Sequence, residues 1–527
     1  RLAESILVDA DRIDTAEFMQ NITIDKIDPS KLWEHMEKTL CDMTEQFQKR
    51  TDEISKHRMS ISDRCFEFSK NQRGICRLIV PTGGGKTISS FRFAVSYCQK
   101  FKKDKIFYIA PFMSILEQNA DVIESLVNNE GLFLQHHSNI ISGIESDQEL
   151  SEYELKCERW DCPVIATTMV QFLNSIFDGK MSSVRRFHSL ANSVIIIDEV
   201  QSIPVKCINL FNLAMNFLSK IANCTIVLCS ATQPKFEDIK FSLILDEESS
   251  MIGEFASDFD AFQRTEIISA VSGNGFSFRE TAEFAYEKYK ENGNVLVILN
   301  TKKSAVEVFK TLKEMNEVDE EKKVEIIHLS TNMCPAHRKN KLDHARELLK
   351  MDKPVICVTT QLIEAGVDIS FKCVIRSLAG LDSIAQASGR CNRHGEDKIR
   401  PVYVINVKEE SLSKLKEINE GKEISFNIMS RSNYDLLSDE TMTTYFKIFY
   451  KRFESQLSYS ITDSSIKTDL LTLLSTNINM KSVCNNKDIF VAQAFKTAGE
   501  KFKVIDSNTR AIIVPYNSEA DDVINKL

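Results

Sequence analysis

Between an apolar run at Ile75–Val80 and an amphipathic segment at Thr87–Phe101 lies the heptapeptide Pro81-Thr82-Gly83-Gly84-Gly85-Lys86-Thr87. No other stretch restricts the fold as tightly. Three successive glycines let the backbone curl so that its N–H groups converge on an anion, and the following helix turns the positive end of its dipole toward the same point. The pattern demands a strand, a tight loop and a helix in that order, the phosphate-binding unit of an α/β nucleotide fold. Lys86 is expected to reach the β- and γ-phosphates of ATP, and the Thr87 hydroxyl to hold Mg²⁺. The strict form of this loop has glycine at position 80, where the chain has Val80, so the match is to a variant.

The surrounding sequence supplies the rest of such a fold twice over. Strand-like runs at Ile75–Val80, Ile106–Ala110, Val164–Ala166, Val194–Ile197 and Thr225–Cys229 alternate with helical segments at Thr87–Phe101 and Met113–Val127. A second series comprises Val295–Leu299, Val324–Leu329, Val355–Val358, Val374–Ser377 and Val402–Ile405, with helical segments Phe278–Tyr289 and Ala336–Leu349. Strands apolar on both faces suit parallel sheets covered by helices on each side. The fold class is therefore α/β, with two tandem parallel-sheet domains at residues 61–262 and 263–408.

Residues 1–60 are expected to be mostly helical, with Leu32, Trp33, Met36 and Leu40 on one face. The weakly periodic stretch 236–270, with its turn-like run Ser257 to Asp260, is expected to connect the domains. A small accessory domain is expected at 409–527, with helices around Glu410–Leu415 and Met442–Phe453 and a strand-like Ala511–Pro515.

Composition narrows the class further. The 527 residues are 43% hydrophobic and 27% charged, with only 10 Pro and 17 Gly, which excludes fibrous and disordered chains. A net charge of -9 argues against a simple charge-driven DNA coat, although a local basic groove would suffice for binding. The absence of any run of about 18 apolar residues excludes a helical membrane span. Fourteen scattered cysteines without a C-x-x-C pair fit reduced thiols in a cytoplasmic protein. Because the first residue is Arg1, the chain is expected to start inside a longer protein.

Two further motifs extend the phosphate chemistry. Ile195-Ile196-Ile197-Asp198-Glu199 is an apolar strand ending in two acids: Asp198 fits the Mg²⁺ partner of the loop, and Glu199 the base that polarises attacking water. Acids also end strands at ordinary surfaces. Arg390 and Arg393, three apart in the second series, present to one helix face and could neutralise charge on a γ-phosphate. Alone, they could equally be a solvated face.

In chain order these motifs resemble the superfamily 2 DExD/H-box helicases, and within them the type I CRISPR-associated helicase-nucleases. The resemblance rests on Pro81–Thr87, Pro111-Phe112…Gln118, Ala166-Thr167-Thr168, Asp198-Glu199-Val200-Gln201, Ser230-Ala231-Thr232, Thr360…Glu364-Ala365-Gly366-Val367-Asp368 and Gln386…Arg393. It implies two RecA-like domains and 3′-to-5′ translocation on single-stranded DNA, with recruitment by an RNA-guided surveillance complex and action as a monomer. It also implies that Asp368 and Gln386 approach the nucleotide bound by Gly83, Gly84, Gly85, Lys86, Thr87 and Asp198, and that Ser230, Ala231 and Thr232 couple nucleotide state to DNA grip. Gln201 stands where the family often has His.

A motor of this kind should hold the DNA backbone with little base reading, and Thr167, Thr168, Thr301, Lys302, Lys303 and Thr360 are the candidates. Phe112 and Phe172 are expected in the core. Ile6–Thr15 resembles the last helix of the family's HD nuclease domain, with Asp11 matching its final ligand for divalent transition metals. One carboxylate cannot build a two-metal site, so this chain is expected to lack nuclease activity. Two other readings remain open at this point. One is an RNA-directed or DNA-repair helicase on the same core, and the other is a degenerate ATP-binding scaffold.

Overall fold

The computed structural model describes residues 1–20, 27–50, 52–128, 130–137, 147–253, 261–271, 273–318, 324–364, 366–431, 435–463, 466–477, 493–506, 512 and 514–526. The chain divides into two compact units. The first comprises Arg1–Phe262 with Tyr450–Asp506, and the second Gln263–Phe449 with Ser507–Leu527. Residues beyond 408 are thus shared between both units.

The first unit opens with helices α1 (Leu2–Gln20), α2 (Ser30–Gln48) and α3 (Glu53–Phe68). Apolar side chains at helical spacing bury Leu32, Trp33, Met36 and Leu40, and the Trp33 indole donates to the Lys103 carbonyl at 3.0 Å. Asp52 caps α3 by accepting the Ser55 N–H at 2.8 Å.

The nucleotide-loop strand β1 (Ile75–Ile79) is followed by α4 (Lys86–Phe101), β2 (Lys105–Ala110), α5 (Met113–Val127), β3 (Phe133–His136), α6 (Asp147–Arg159) and β4 (Val164–Thr168). Next come α7 (Met169–Phe177), α8 (Met181–Arg186), β5 (Ser193–Ile197), α9 (Ile208–Lys220) and β6 (Thr225–Ser230). The six strands form one parallel sheet in the order β1-β6-β5-β2-β4-β3. Strands β2, β4, β5 and β6 are buried almost throughout because Ile, Val, Ala and Leu face helices on both sides.

The second unit repeats the architecture. Its elements are β7 (Thr265–Ser269), α10 (Phe278–Asn292), β8 (Asn294–Ile298), α11 (Lys302–Val318), β9 (Glu325–Leu329) and α12 (Pro335–Lys350), then β10 (Val355–Thr359), β11 (Cys373–Ser377), α13 (Leu381–Ser388), β12 (Arg400–Ile405) and α14 (Lys416–Met429). The sheet order is β7-β12-β11-β8-β10-β9, again parallel throughout. Helix α10 begins with a capping box in which Ser277 and Glu280 satisfy each other's backbone N–H groups.

Helix α15 (Asp439–Arg452) follows, then an antiparallel hairpin β13 (Ser460–Asp463) and β14 (Ile466–Asp469), α16 (Leu470–Leu474), α17 (Phe495–Lys501) and α18 (Ser518–Lys526). Within the first unit, α17 packs so closely that a Cβ on Gly499 would lie 2.5 Å from the Gly179 Cα.

Three expectations need correction. The stretch 236–270 contains β7, an edge strand of the second sheet whose Thr-Glu-Ile-Ile-Ser sequence stays half exposed and so lacks a buried-strand signature. Glu410–Leu415 is not helical, since the Glu410 carboxylate is buried and binds backbone elsewhere in the second unit. Of Ala511–Pro515, positions 511 and 513 lie outside the described residues and the other three are not in a strand. Ser257 to Asp260 also lies outside the described residues.

Candidate nucleotide site

The loop after β1 is shaped by glycine where glycine is needed. Gly83 and Gly85 have φ of 84° and 82°, left-handed values that penalise other residues. A Cβ on Gly84 would stand 2.4 Å from Val80 Cγ1. The residue that departs from the strict loop pattern is therefore packed against the loop it introduces. Arg58, on α3, donates through Nε to the Gly83 carbonyl at 2.7 Å. That brace was not legible in the sequence.

Lys86 opens α4 and points its ammonium between the two acids at the end of β5. It pairs with Asp198 at 2.7 Å and with Glu199 more closely still. Burial works against the ammonium, but Asp198 and Glu199 outweigh it and hold the lysine above its ordinary pKa, so Lys86 is charged at any physiological pH.

Asp198 is buried, with Oδ1 accepting the Glu199 N–H at 2.9 Å and Oδ2 accepting the Tyr108 hydroxyl at 2.6 Å. Tyr108 in turn accepts the Asn119 amide at 2.8 Å, and Asn119 Oδ1 accepts the Thr87 hydroxyl at 3.1 Å. Burial, followed by the charge of Asp198, raises the Tyr108 phenol well above its ordinary pKa, which keeps it a donor.

Glu199 has φ 47°, an unusual left-handed setting for a non-glycine residue that turns its carboxylate back toward Lys86. Gln201 Nε2 donates to Glu199 Oε2 at 2.6 Å, and Gln201 Oε1 lies 2.5 Å from Ser230 Oγ. Gln201 therefore bridges the acidic pair to the end of β6. There Ser230 Oγ also accepts the Thr232 N–H at 3.0 Å, and Thr232 is buried. The amide makes both contacts in the position where the helicase-nuclease pattern often has an imidazole. Ala231, between them, is half-buried.

In the second unit the two arginines have different environments. Arg390 is buried, its Nε and Nη2 donating to the carbonyls of Ile363 and Glu364 at 2.8 and 2.7 Å. Arg393 is only half-buried and pairs through Nε with Asp368 at 2.7 Å. Gln386 sits half-buried on α13.

Beneath them, the fully buried Arg376 pairs with Glu364 at 2.7 Å and donates to Asn300 Oδ1, the Ser377 carbonyl and Ser383 Oγ. Burial raises the Glu364 carboxyl above its ordinary range, opposed by Arg376. Glu410 accepts the N–H groups of Asn300 and Thr301 at 2.7 and 3.1 Å and the Ser377 hydroxyl at 2.6 Å.

Two family signatures match the chain. The DEAD/DEAH box helicase signature covers residues 60–239, and "CRISPR-associated nuclease/helicase Cas3, C-terminal" covers residues 291–396. Among curated relatives, the CRISPR-associated nuclease/helicase Cas3 of Haloferax volcanii is 23% identical, over 61% of this chain and 45% of its own length. A putative Cas3 nuclease/helicase of Methanocaldococcus jannaschii is 25% identical, over 63% of this chain and 46% of its own length.

Over both regions the chain is similar to the Cas3-type helicase-nucleases.

It spans less than half the length of those two Cas3 relatives. The crystal structure of T. fusca Cas3 superposes with a TM-score of 0.60 at 15% identity, covering 76% of this chain and 54% of that one, which supports the shared fold. Among the described residues no helix is long and apolar enough to cross a membrane.

The remaining candidate positions fall into distinct settings. Thr167 is fully buried and its hydroxyl donates to the His136 carbonyl at 3.0 Å. Thr168, also buried, caps α7 by accepting the Gln171 N–H. Thr360 is buried at the end of β10. Thr301 accepts the Ser304 N–H at 3.1 Å at the start of α11, where Lys302 and Lys303 are exposed. Lys302 donates to Asn332 at 2.9 Å.

Phe172 is in the core, but Phe112 is 48% exposed, because it precedes α5 at the carboxyl end of β2 rather than facing the sheet. Ala365 lies outside the described residues. Asp11 is exposed on α1. Its neighbour Asp9 is the buried acid, pairing with Arg185 at 2.7 Å and Arg159 at 3.3 Å to anchor α1 to α8 and α6.

Proposed function

We propose that this chain is the ATP-driven motor of a type I CRISPR interference protein. It translocates 3′ to 5′ on single-stranded DNA and unwinds target DNA after recruitment by an RNA-guided surveillance complex. The observation that supports this best is the position of Lys86, charged and held by Asp198 and Glu199 at the mouth of a glycine loop. An ammonium held by side-chain carboxylates keeps an anionic partner when it transfers to nucleotide phosphates, and the carboxylates it leaves are free to take the accompanying divalent cation.

In the proposed cycle Lys86 leaves the acids for the β- and γ-phosphates. Glu199 is thereby released to orient water, steadied by Gln201. Thr87 and Asp198 supply hard oxygen donors, a hydroxyl and a carboxylate, of the kind Mg²⁺ takes alongside substrate phosphates. Such an ion would neutralise charge on the phosphoryl oxygens. Arg393 is the cation we assign to the γ-phosphate, because its partner Asp368 is itself half exposed and replaceable. Arg390, bonded to backbone carbonyls, shapes the Ile363–Glu364 turn.

The Gln201–Ser230 contact gives a route by which nucleotide state reaches the segment around Thr232. Asp11 alone offers one ligand where a two-metal nuclease site needs several, so we propose that cutting is not performed by this chain.

The test is ATP turnover of the full chain with single-stranded DNA, duplex DNA, RNA or no nucleic acid. Single-stranded DNA is expected to stimulate most, with the DNA left uncut when Mn²⁺ is included. Stimulation by RNA alone, or none by any nucleic acid, would overturn the motor assignment, and Mn²⁺-dependent cutting would overturn the nuclease statement.

A further inference from the structure

Tyr108 and Asn119, outside the recognised motifs, link the loop threonine to the strand-end aspartate in one directed chain of hydrogen bonds. Thr87 donates to Asn119 Oδ1 at 3.1 Å, Asn119 Nδ2 donates to Tyr108 at 2.8 Å, and Tyr108 donates to Asp198 Oδ2 at 2.6 Å. Arg58 instead braces the Gly83 carbonyl.

The direction of the chain is fixed at its acidic end. An ionised carboxylate only accepts, so the Tyr108 proton must point to Asp198. The Tyr108 oxygen then accepts from Asn119, which turns the Asn119 carbonyl oxygen toward Thr87. Thr87 therefore spends its single proton on Asn119. A hydroxyl that has given its proton sideways keeps its lone pairs for a cation.

Sheet geometry explains why Tyr108 can do this. Tyr108 pairs with Ile196 in the parallel β2–β5 register, and Asp198 stands two residues beyond Ile196 on the same face. The phenol is 1% exposed, so water does not replace it as a donor. With Oδ1 already engaged by the Glu199 N–H, both oxygens of Asp198 are oriented before any ligand arrives.

We propose that Tyr108 and Asn119 are positioning residues that hold Thr87 and Asp198 in register for the divalent cation accompanying the nucleotide. The inference rests on the nucleotide reading above and deepens it.

The experiment titrates a fluorescent ADP analogue into the full chain, in EDTA and across a range of Mg²⁺ concentrations, for wild type, Tyr108→Phe and Asn119→Ala. Each variant loses a hydrogen bond that ends on a charged carboxylate or orients one that does. The Mg²⁺ concentration for half-maximal affinity gain is thus expected to rise about tenfold. Affinity in EDTA is expected to stay within about twofold, since the glycine loop and Lys86 are untouched. Tyr108→Phe removes one oxygen and leaves the ring packed, so it reports even if Asn119→Ala folds poorly. Wild-type Mg²⁺ dependence in Tyr108→Phe would overturn the inference alone, as would an equal loss in EDTA, which marks a merely structural role. Nucleotide binding by wild type that ignores Mg²⁺ would overturn the nucleotide reading and this inference with it.

Discussion

In the first unit the key cation, Lys86, is held by two side-chain carboxylates that phosphate oxygens can replace. In the second unit Arg376 and Arg390 are bonded to buried groups, several of them backbone carbonyls. The energetics of the two sets differ. Exchanging one anion for another at Lys86 leaves the ammonium paired, and the carboxylates it releases can take the cation that accompanies a nucleotide. Removing a partner from the Arg376–Glu364 pair strands a charge in the protein interior, which is the costly outcome for buried ion pairs. On the proposed reading the contrast divides the labour: one sheet would carry a charge that changes partners, while the other holds the turns next to Thr301, Lys302 and Arg393 through buried contacts.

The largest effect that could break this contrast is expected at Lys86. Replacement by Ala removes the cation proposed to meet the phosphates, and the turnover rate of ATP should fall by at least about a hundredfold, the scale seen when a preorganised electrostatic partner is lost. Single-stranded DNA affinity without nucleotide is expected to persist. A steady-state ATPase measurement showing near-normal turnover would mean that Lys86 is an ordinary structural ion pair.

A paired substitution sharpens the comparison within the second unit. Arg376→Ala should lower stability by about 3–5 kcal/mol in chemical denaturation, because Glu364 is left buried without its counter-charge. Arg393→Ala, whose partner Asp368 is half exposed, should leave the denaturation midpoint nearly unchanged while lowering turnover more than nucleotide affinity. Equal stability losses in the two variants would erase the distinction between fixed and exchangeable arginines.

These differences were only partly legible in the sequence. The sheets were readable because most strands are β-branched and buried on both faces, so Val194–Ile197 and Val355–Val358 differ from the observed strands by a residue at one end. The glycine loop was readable because its chemistry is local.

The edge strand β7 was not, since Thr265, Glu266 and Ser269 flank an adjacent Ile267–Ile268 pair and none of the five is fully buried, so neither an apolar run nor a strand alternation is present. Nor were Tyr108, Asn119 and Glu410, whose meaning depends on partners far along the chain. Glu410 binds the Asn300–Thr301 turn 110 residues away, and no periodicity records such a contact. A tyrosine inside an otherwise apolar strand was the one available signal, because a buried phenol needs a partner.

The smallest effect is expected at Lys302, and it tests whether the second unit is as fixed as its core network implies. Lys302 opens α11, immediately after the turn that Glu410 anchors through the Asn300 and Thr301 N–H groups, so its backbone is held while its ammonium is exposed. A phosphate bound there would meet both the lysine and the helix N-terminus. Lys302→Ala should therefore weaken single-stranded DNA binding a few-fold and reduce the slope of log affinity against log salt by about 0.7, the value for one released counterion on a single strand. Thr301 is the poorer probe, since its hydroxyl also accepts the Ser304 N–H and its loss would disturb the helix start. Fluorescence anisotropy across a salt series gives the slope directly. If the turn is fixed, the slope lost with Lys302 is the same with and without a non-hydrolysable ATP analogue. A loss that appears only with nucleotide would show that this cation, like Lys86, changes partners during the cycle, and the division between the two units would then have to be drawn between buried and exposed charges instead.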